Sequence, residues 1–166
     1  MIGWRIINCP IGELIAAESR VGLKLLIWRD KQKEAEKQIG NRLKVSSSRL
    51  HYTPELQCQT AVEGFFLNRG FTKSPTLDTS GTAFQRRVWR GLRDIPVGQT
   101  WSYGQVARHI GHPAAVRGVA GACASNPVCL FIPCHRVVRA NGGLGGYAGG
   151  VEIKQALLAL EYTVHP

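Results

Sequence analysis

The stretch FIPCHRVV, residues 131–138, sets a thiol, an imidazole and a guanidinium on three consecutive positions, Cys134, His135 and Arg136. A thiolate is a strong nucleophile, but a free cysteine has a pKa of about 8.5, is only a few per cent ionised at neutral pH, and needs a base. An imidazole beside it is a candidate for that base. Five cysteines with no C-x-x-C pair point to free thiols rather than to a disulfide framework. Cys9, Cys58, Cys123 and Cys129 read as small buried residues; Cys134 stands apart through its neighbours. Metal binding by Cys129, Cys134 and His135 lacks the second ligand pair of a zinc site. His51, His109, His112 and His165 read as surface or turn residues, so no metal is expected.

Charge suggests the partner. The formal net charge is +10, and its placement says more than its size. Between Gln85 and Ala140 the basic residues are Arg86, Arg87, Arg90, Arg93, Arg108, Arg117, Arg136 and Arg139, opposed only by Asp94 and without a lysine. Arginine's planar fork donates in pairs and stacks, which suits phosphates and base edges. A merely solvated face uses lysine and glutamate freely, as residues 31–44 do. Nucleic acid is the favoured partner.

The elements that must position these residues follow from pattern. WRIINC, GELIAAES and GLKLLIW, each bounded by Gly, Pro or charge, predict a small meander of strands. A charged helix is expected from about Asp30 to Lys44, then a second with Thr53 as N-cap and Pro54 at its first position. NRGFTKSPTLDTSGT has the composition of a linker and sets the expected domains at 1–78 and 79–166. Beyond it, TAFQRRVWRGLRDI is amphipathic with helical period. SYGQVARHIG, capped by Ser102, and PAAVRGVAGACASN, from Pro113 to Asn126, have the spacing of a helix-turn-helix. The second of these helices is lined with small residues, among them Ala115, Gly118 and Ala122, from which Arg117 projects; tight packing in a core explains small residues equally well. VCLFIP reads as a buried strand delivering Cys134. ANGGLGGYAGG lacks the lysine of a phosphate loop and is expected to let backbone approach a flat ligand. A last helix, Val151 to Tyr162, carries Lys154 and Glu161. The N-terminus has no signal-peptide core and no stretch reaches the ~18 apolar residues of a membrane span, so a cytoplasmic (nucleoid-associated) or nuclear setting is expected.

IPCHRVV, with SYGQVA and AAVRGVAGACASNPV before it and GGYAGGVEIKQALLALE after it, resembles the O6-alkylguanine-DNA alkyltransferase family, the methylated-DNA:protein-cysteine methyltransferases. GTAFQRRVW and ACASN are most similar to the C-terminal half of the bifunctional adaptive-response proteins. The resemblance implies an α/β (α+β) fold: a small N-terminal ribonuclease-H-like sheet domain followed by a mainly helical C-terminal domain with a helix-turn-helix. It implies irreversible, single-turnover transfer of an alkyl group from O6 of guanine in duplex DNA to Cys134, without a cofactor, by a monomer. In that reading His135 is the base acting through an ordered water, Glu161 orients it, and Asn126 fixes the loop. Tyr103 and the N–H of Ala148 stabilise the departing guanine, and the carbonyls of Cys134 and Val137 accept its exocyclic amine. Tyr147 and Lys154 complete the substrate side. Arg117 fills the gap left by the flipped base in the minor groove, and Ala115, Gly118, Ala122 and Arg136 join it on DNA.

Two other classes share some of these features. A cysteine hydrolase would use the same Cys, His and Glu but needs neither a helix-turn-helix nor an arginine-rich half. A non-catalytic alkyltransferase-like module would lack the nucleophile. Cys129 stands where some family members carry a proline against the alkyl group, so a weak reaction with O6-benzylguanine is expected. Ala148 replaces a frequent serine, and only its N–H is needed.

Overall fold

Leu14, Ile15, Ala16 and Ala17 are all fully buried although successive strand residues point to opposite faces, so their strand is covered on both sides. That strand, β2 (Gly12–Glu18), runs antiparallel between β1 (Ile2–Cys9) and β3 (Leu23–Trp28). The three-residue β4 (Leu50–Tyr52) joins β1 in parallel, giving the order β3-β2-β1-β4. Ile15, Ala17 and Leu25 pack with Ile2, Leu50 and the buried side of α1 (Ala35–Leu43). The computed structural model describes residues 1–162, and its contacts divide the chain into residues 1–79 and residues 80 onward. His165 lies outside the described residues.

Three expectations for the first unit change. The helix expected from Asp30 begins at Ala35, because Gln38 folds back and donates to the carbonyls of Asp30 and Lys33 at 2.9 and 3.0 Å, holding residues 30–34 as a turn. α2 runs Cys58–Leu67 rather than from Thr53. The Glu18 carboxylate accepts the N–H groups of Gln57 and Cys58 at 3.0 and 2.7 Å and so caps the helix there, while the Pro54 carbonyl takes the Arg5 guanidinium. The linker-like segment is tied to β3: Leu23 N–H donates to Thr76, Asp78 N–H donates to Leu23, and Lys24 pairs with Asp78 at 2.9 Å.

The second unit is mainly helical. α3 (Ala83–Leu92) and α4 (Tyr103–His109) each start with a capping box, Thr82 with Gln85 and Ser102 with Gln105, which satisfies otherwise orphaned N–H groups. Gly111, at φ +78°, turns the chain toward α5 (Val116–Ala124); this helix is shorter than the Pro113–Asn126 span expected. α3, α4 and α5 pack on one another around Val88, Leu92, Val106 and Val119. VCLFIP is not a strand. It is an irregular coil with Leu130 at φ 69°, leading into a 3-10 turn, Cys134–Arg136. The two-residue strands β5 (Trp101–Ser102) and β6 (Val137–Val138) pair in parallel, which brings the start of α4 beside the end of the Cys134 turn. α6 spans Val151–Tyr162 as expected. Among the described residues no helix is long and apolar enough to cross a membrane.

Candidate active site

Asn126 holds the coil that ends at Cys134. Its Nδ2 donates to Ile132 O at 2.7 Å and to Cys134 Sγ at 3.1 Å, while its Oδ1 accepts the Val128 N–H at 2.9 Å. One buried amide therefore braces both limbs of the coil and aims an N–H at the sulfur, an arrangement that favours the anionic form of the acceptor. Cys134 is itself 9% exposed.

The 3-10 turn carries His135 and Arg136 into the interior, where α6 waits. Lys154, Leu157 and Glu161 are spaced three and four residues apart, so they share one face of that helix, and all three are fully buried. His135 Nε2 lies 2.8 Å from Glu161 Oε1. Arg136 donates Nε and Nη2 to the same carboxylate at 2.9 and 2.8 Å, and Nη1 to Ile95 O at 2.8 Å. Burial alone raises a carboxyl's pKa, but the hydrogen bonds from His135 and Arg136 and their charges carry Glu161 down to about 2. Burial pushes the His135 imidazole below its ordinary value, against the pull of Glu161. With the carboxylate ionised and the imidazole neutral, the shared proton belongs on Nε2, which makes Nδ1 the basic nitrogen.

Cys134 opens onto a cavity of about 380 Å³. Ala120, Cys123 and Ala124 of α5 line one part of it, Tyr103 of α4 another, and Gly146, Tyr147 and Ala148 of the glycine loop the rest. Burial, followed by the charges of Cys123 and Cys134, raises the Tyr103 phenol's pKa, so this hydroxyl stays a donor. Gly145 sits at φ +74°, and a methyl there would come within 2.9 Å of the Tyr103 hydroxyl; the loop reaches the tyrosine only as glycine.

Several expected site residues find different work. Arg136, expected on DNA, is 6% exposed and spends its fork on Glu161 and Ile95. Ala122, also expected on DNA, faces inward at 2% exposure, and its carbonyl accepts the Trp89 Nε1–H at 2.8 Å. Gly118 is exposed, yet a methyl there would press on the Phe84 ring at 2.9 Å, so packing on α3 already explains the glycine. Ala115 precedes α5 and is half-buried. Lys154, expected on the substrate, donates to the carbonyls of Val137, Leu144 and Gly146. The Val137 carbonyl thus already carries one donor. Cys129 is buried and does not line the cavity; the cysteine that lines it beside Cys134 is Cys123, read from sequence as core. The outward stripe of α5 is Arg117, Ala120, Gly121 and Ala124, all exposed. A methyl at Gly121 would meet nothing within 4 Å among the described residues. The helical spacing of these four was in the sequence, but which way the helix turned was not. Among the described residues no cluster of His, Cys, Asp or Glu could hold a metal ion.

Residues 83–163 match the family model of the 6-O-methylguanine DNA methyltransferase, DNA binding domain. The methylated-DNA–protein-cysteine methyltransferase of Mycobacterium tuberculosis is 38% identical over 100% of this chain and 96% of its own length. The bifunctional transcriptional activator/DNA repair enzyme Ada of Escherichia coli is 37% identical over 96% of this chain, but only 45% of its own length is matched. The crystal structure of Mycobacterium tuberculosis OGT in complex with DNA superimposes with a TM-score of 0.81 at 36% identity, covering 97% of this chain and 93% of that one. A thiol braced by an amide, a histidine locked to a buried carboxylate, and likeness along the whole chain to these proteins agree: the chain belongs to the methylated-DNA–protein-cysteine methyltransferase family.

Proposed function

We propose that this protein repairs duplex DNA by moving an alkyl group, methyl above all, from O6 of guanine to Cys134 Sγ, once per molecule. The observation that carries the reading is Cys134, braced by Asn126 and followed by the buried His135–Glu161 pair, opening onto a cavity bordered by small residues of α5. His135 Nδ1, through a water, takes the thiol proton. The thiolate attacks the alkyl carbon, the S–C bond forms as the C–O6 bond breaks, and the electron pair leaves with the guanine. Tyr103, kept protonated, and the Ala148 N–H donate to that departing purine where negative charge builds, which is how oriented donors lower such a barrier. The carbonyls of Cys134 and Val137 select guanine by accepting its exocyclic amine, and Tyr147 closes the cavity beside it. Glu161 stays ionised at neutral pH and takes no proton; it holds the imidazole in one tautomer.

O6 lies inside the duplex, so the nucleotide must be flipped out at a cost of a few kcal/mol. The Arg117, Ala120, Gly121 and Ala124 stripe supports minor-groove entry, since small side chains let backbone approach closely and that groove's degenerate code suits repair at any sequence. Arg117 stands in for the extruded base. Residues 1–78 would serve as a supporting domain and 79–166 as the DNA-binding and transfer domain. The protein would act as a monomer, without a cofactor, in the compartment that holds DNA, cytoplasm or nucleus.

Mass spectrometry after exposure to methylated duplex DNA tests this. One added methyl per chain, on Cys134, with no further turnover is expected. Continued turnover, or a label on another cysteine in an active Cys134→Ala variant, would sink it.

A further inference from the structure

Val137, Leu144 and Gly146 turn their carbonyl oxygens toward one buried ammonium. Lys154 Nζ donates to Val137 O at 2.6 Å, to Leu144 O, and to Gly146 O at 3.5 Å, and the residue has no exposed surface. A charge is kept out of water only where hydrogen bonds replace its solvation, and three carbonyls give each N–H of the ammonium an acceptor. No donor is left over for a substrate. The three carbonyls come from two segments: Val137 begins the strand that leaves the Cys134 turn, and Leu144 and Gly146 belong to the glycine loop. That loop has no helix or strand of its own over residues 141–150, and it holds Gly142 and Gly145 at positive φ. It still supplies Gly146, Tyr147 and Ala148 to the cavity.

We propose that Lys154 is a positioning residue for the alkyl transfer: its ammonium clamps the glycine loop to the strand leaving the Cys134 turn and keeps a positive charge at the end of that turn. The proposal rests on the alkyl-transfer reading. Burial lowers the lysine's pKa, the Cys134 and Cys123 sulfurs pull it back up, and the charge of Arg139 adds to the lowering. Because that interaction is mutual, the same ammonium favours the Cys134 thiolate over the thiol. Clamp and charge act together, since the carbonyls that fix the loop are also what makes a cation tolerable there.

The test compares wild type with Lys154→Met, which keeps the length of the side chain without donor or charge, and with Lys154→Arg, which keeps the charge. Cys134 alkylation by iodoacetamide is followed against pH by mass spectrometry, amide hydrogen exchange is read over residues 144–148, and methyl transfer from methylated duplex is timed. In Lys154→Met the alkylation midpoint should rise by about 1 pH unit, the loop amides should exchange faster, and transfer should slow on the order of 100-fold. Lys154→Arg should restore most of the midpoint. An unchanged midpoint and unchanged exchange in Lys154→Met overturn the proposal whatever the transfer rate does. Should Lys154→Met fail to fold, Lys154→Arg is compared with Lys154→Gln, a donor without charge, and an equal midpoint in those two overturns it. A wild-type chain that takes no methyl from DNA would instead defeat the transfer reading and leave the midpoint and exchange comparisons standing.

Discussion

Cys58, at the first turn of α2, and Cys134, on the 3-10 turn of the second unit, are both buried thiols with neighbours of opposite kind. A helix N-terminus ordinarily lowers a cysteine's pKa, but at α2 the Glu18 carboxylate already occupies that position. Burial first, and the charge of Glu18 second, push the Cys58 thiol far up. Cys134 instead receives the Asn126 N–H, lies within the field of Lys154, and faces a cavity. Cys123 falls between them: it shares that cavity, yet burial and then the charge of Cys134 raise its pKa to about 12. The three sites together teach that burial does not decide a cysteine's role. What sets Cys134 apart is an amide N–H aimed at its sulfur together with an opening to substrate.

The largest effect that sharpens this contrast is on the thiols themselves. Cys134→Ala should abolish methyl transfer, whereas Cys58→Ala and Cys123→Ala should still take up a methyl on Cys134, as read by mass spectrometry of the labelled peptide. A strong loss of transfer in folded Cys58→Ala would break the contrast.

The two carboxylates come next. Removing Glu161 leaves Arg136 a buried, unpaired charge, so Glu161→Gln should cost about 3–5 kcal/mol of stability as well as transfer. Glu18→Gln removes only a helix cap and should cost about 1 kcal/mol. Urea denaturation of the two variants checks the ranking, and similar losses would place the two carboxylates in the same role.

Access is the other half of the contrast, and Arg117 probes it without touching the thiol. Arg117→Ala should weaken repair of duplex DNA by an amount equivalent to ~1–3 kcal/mol while leaving the reaction with free O6-methylguanine close to wild type. Timing both substrates decides it; equal losses on the two would remove the flipped-state role.

The smallest expected effect is on pH dependence. His135 has a folded pKa held below its ordinary value by burial, so its neutral form stabilises the fold above the unfolded pKa of about 6.5, and that contribution drains away as pH falls below it. Glu161 titrates only toward about 2; its contribution is complete above about 4.5 and is lost only below that. Between pH 7 and 5 the denaturation midpoint of wild type should therefore decline more than that of His135→Gln. Parallel curves would mean that folding leaves the imidazole's affinity for a proton unchanged, and a wild-type midpoint that gains on the variant as pH falls would mean that the imidazole is charged in the fold.

Residue type and local spacing legislate for local structure, and here they did so well. Thr82 with Gln85 and Ser102 with Gln105 are capping boxes because a hydroxyl reaches an N–H three residues on. β1 to β3 follow from short apolar runs bounded by Gly, Pro and charge, and the adjacency of Cys134 and His135 marked the nucleophile. Other outcomes depended on residues far apart in sequence. Glu18 chose where α2 begins from forty residues away, and Leu130 bent an apolar run that its composition alone would make a buried strand. Arg136 looked like one more DNA-facing arginine until Glu161, twenty-five residues on, claimed it. Ala122 and Ala124 are the same side chain two positions apart; only the packing of α5 on Trp89 turned one inward and left the other on the cavity. Lys154 met the carbonyls of Val137, Leu144 and Gly146 only once β6 and the glycine loop had been brought to α6. A spacing fixes which side chains share a face, but the partner that faces them is supplied by another part of the chain, and that pairing exists only in the folded molecule.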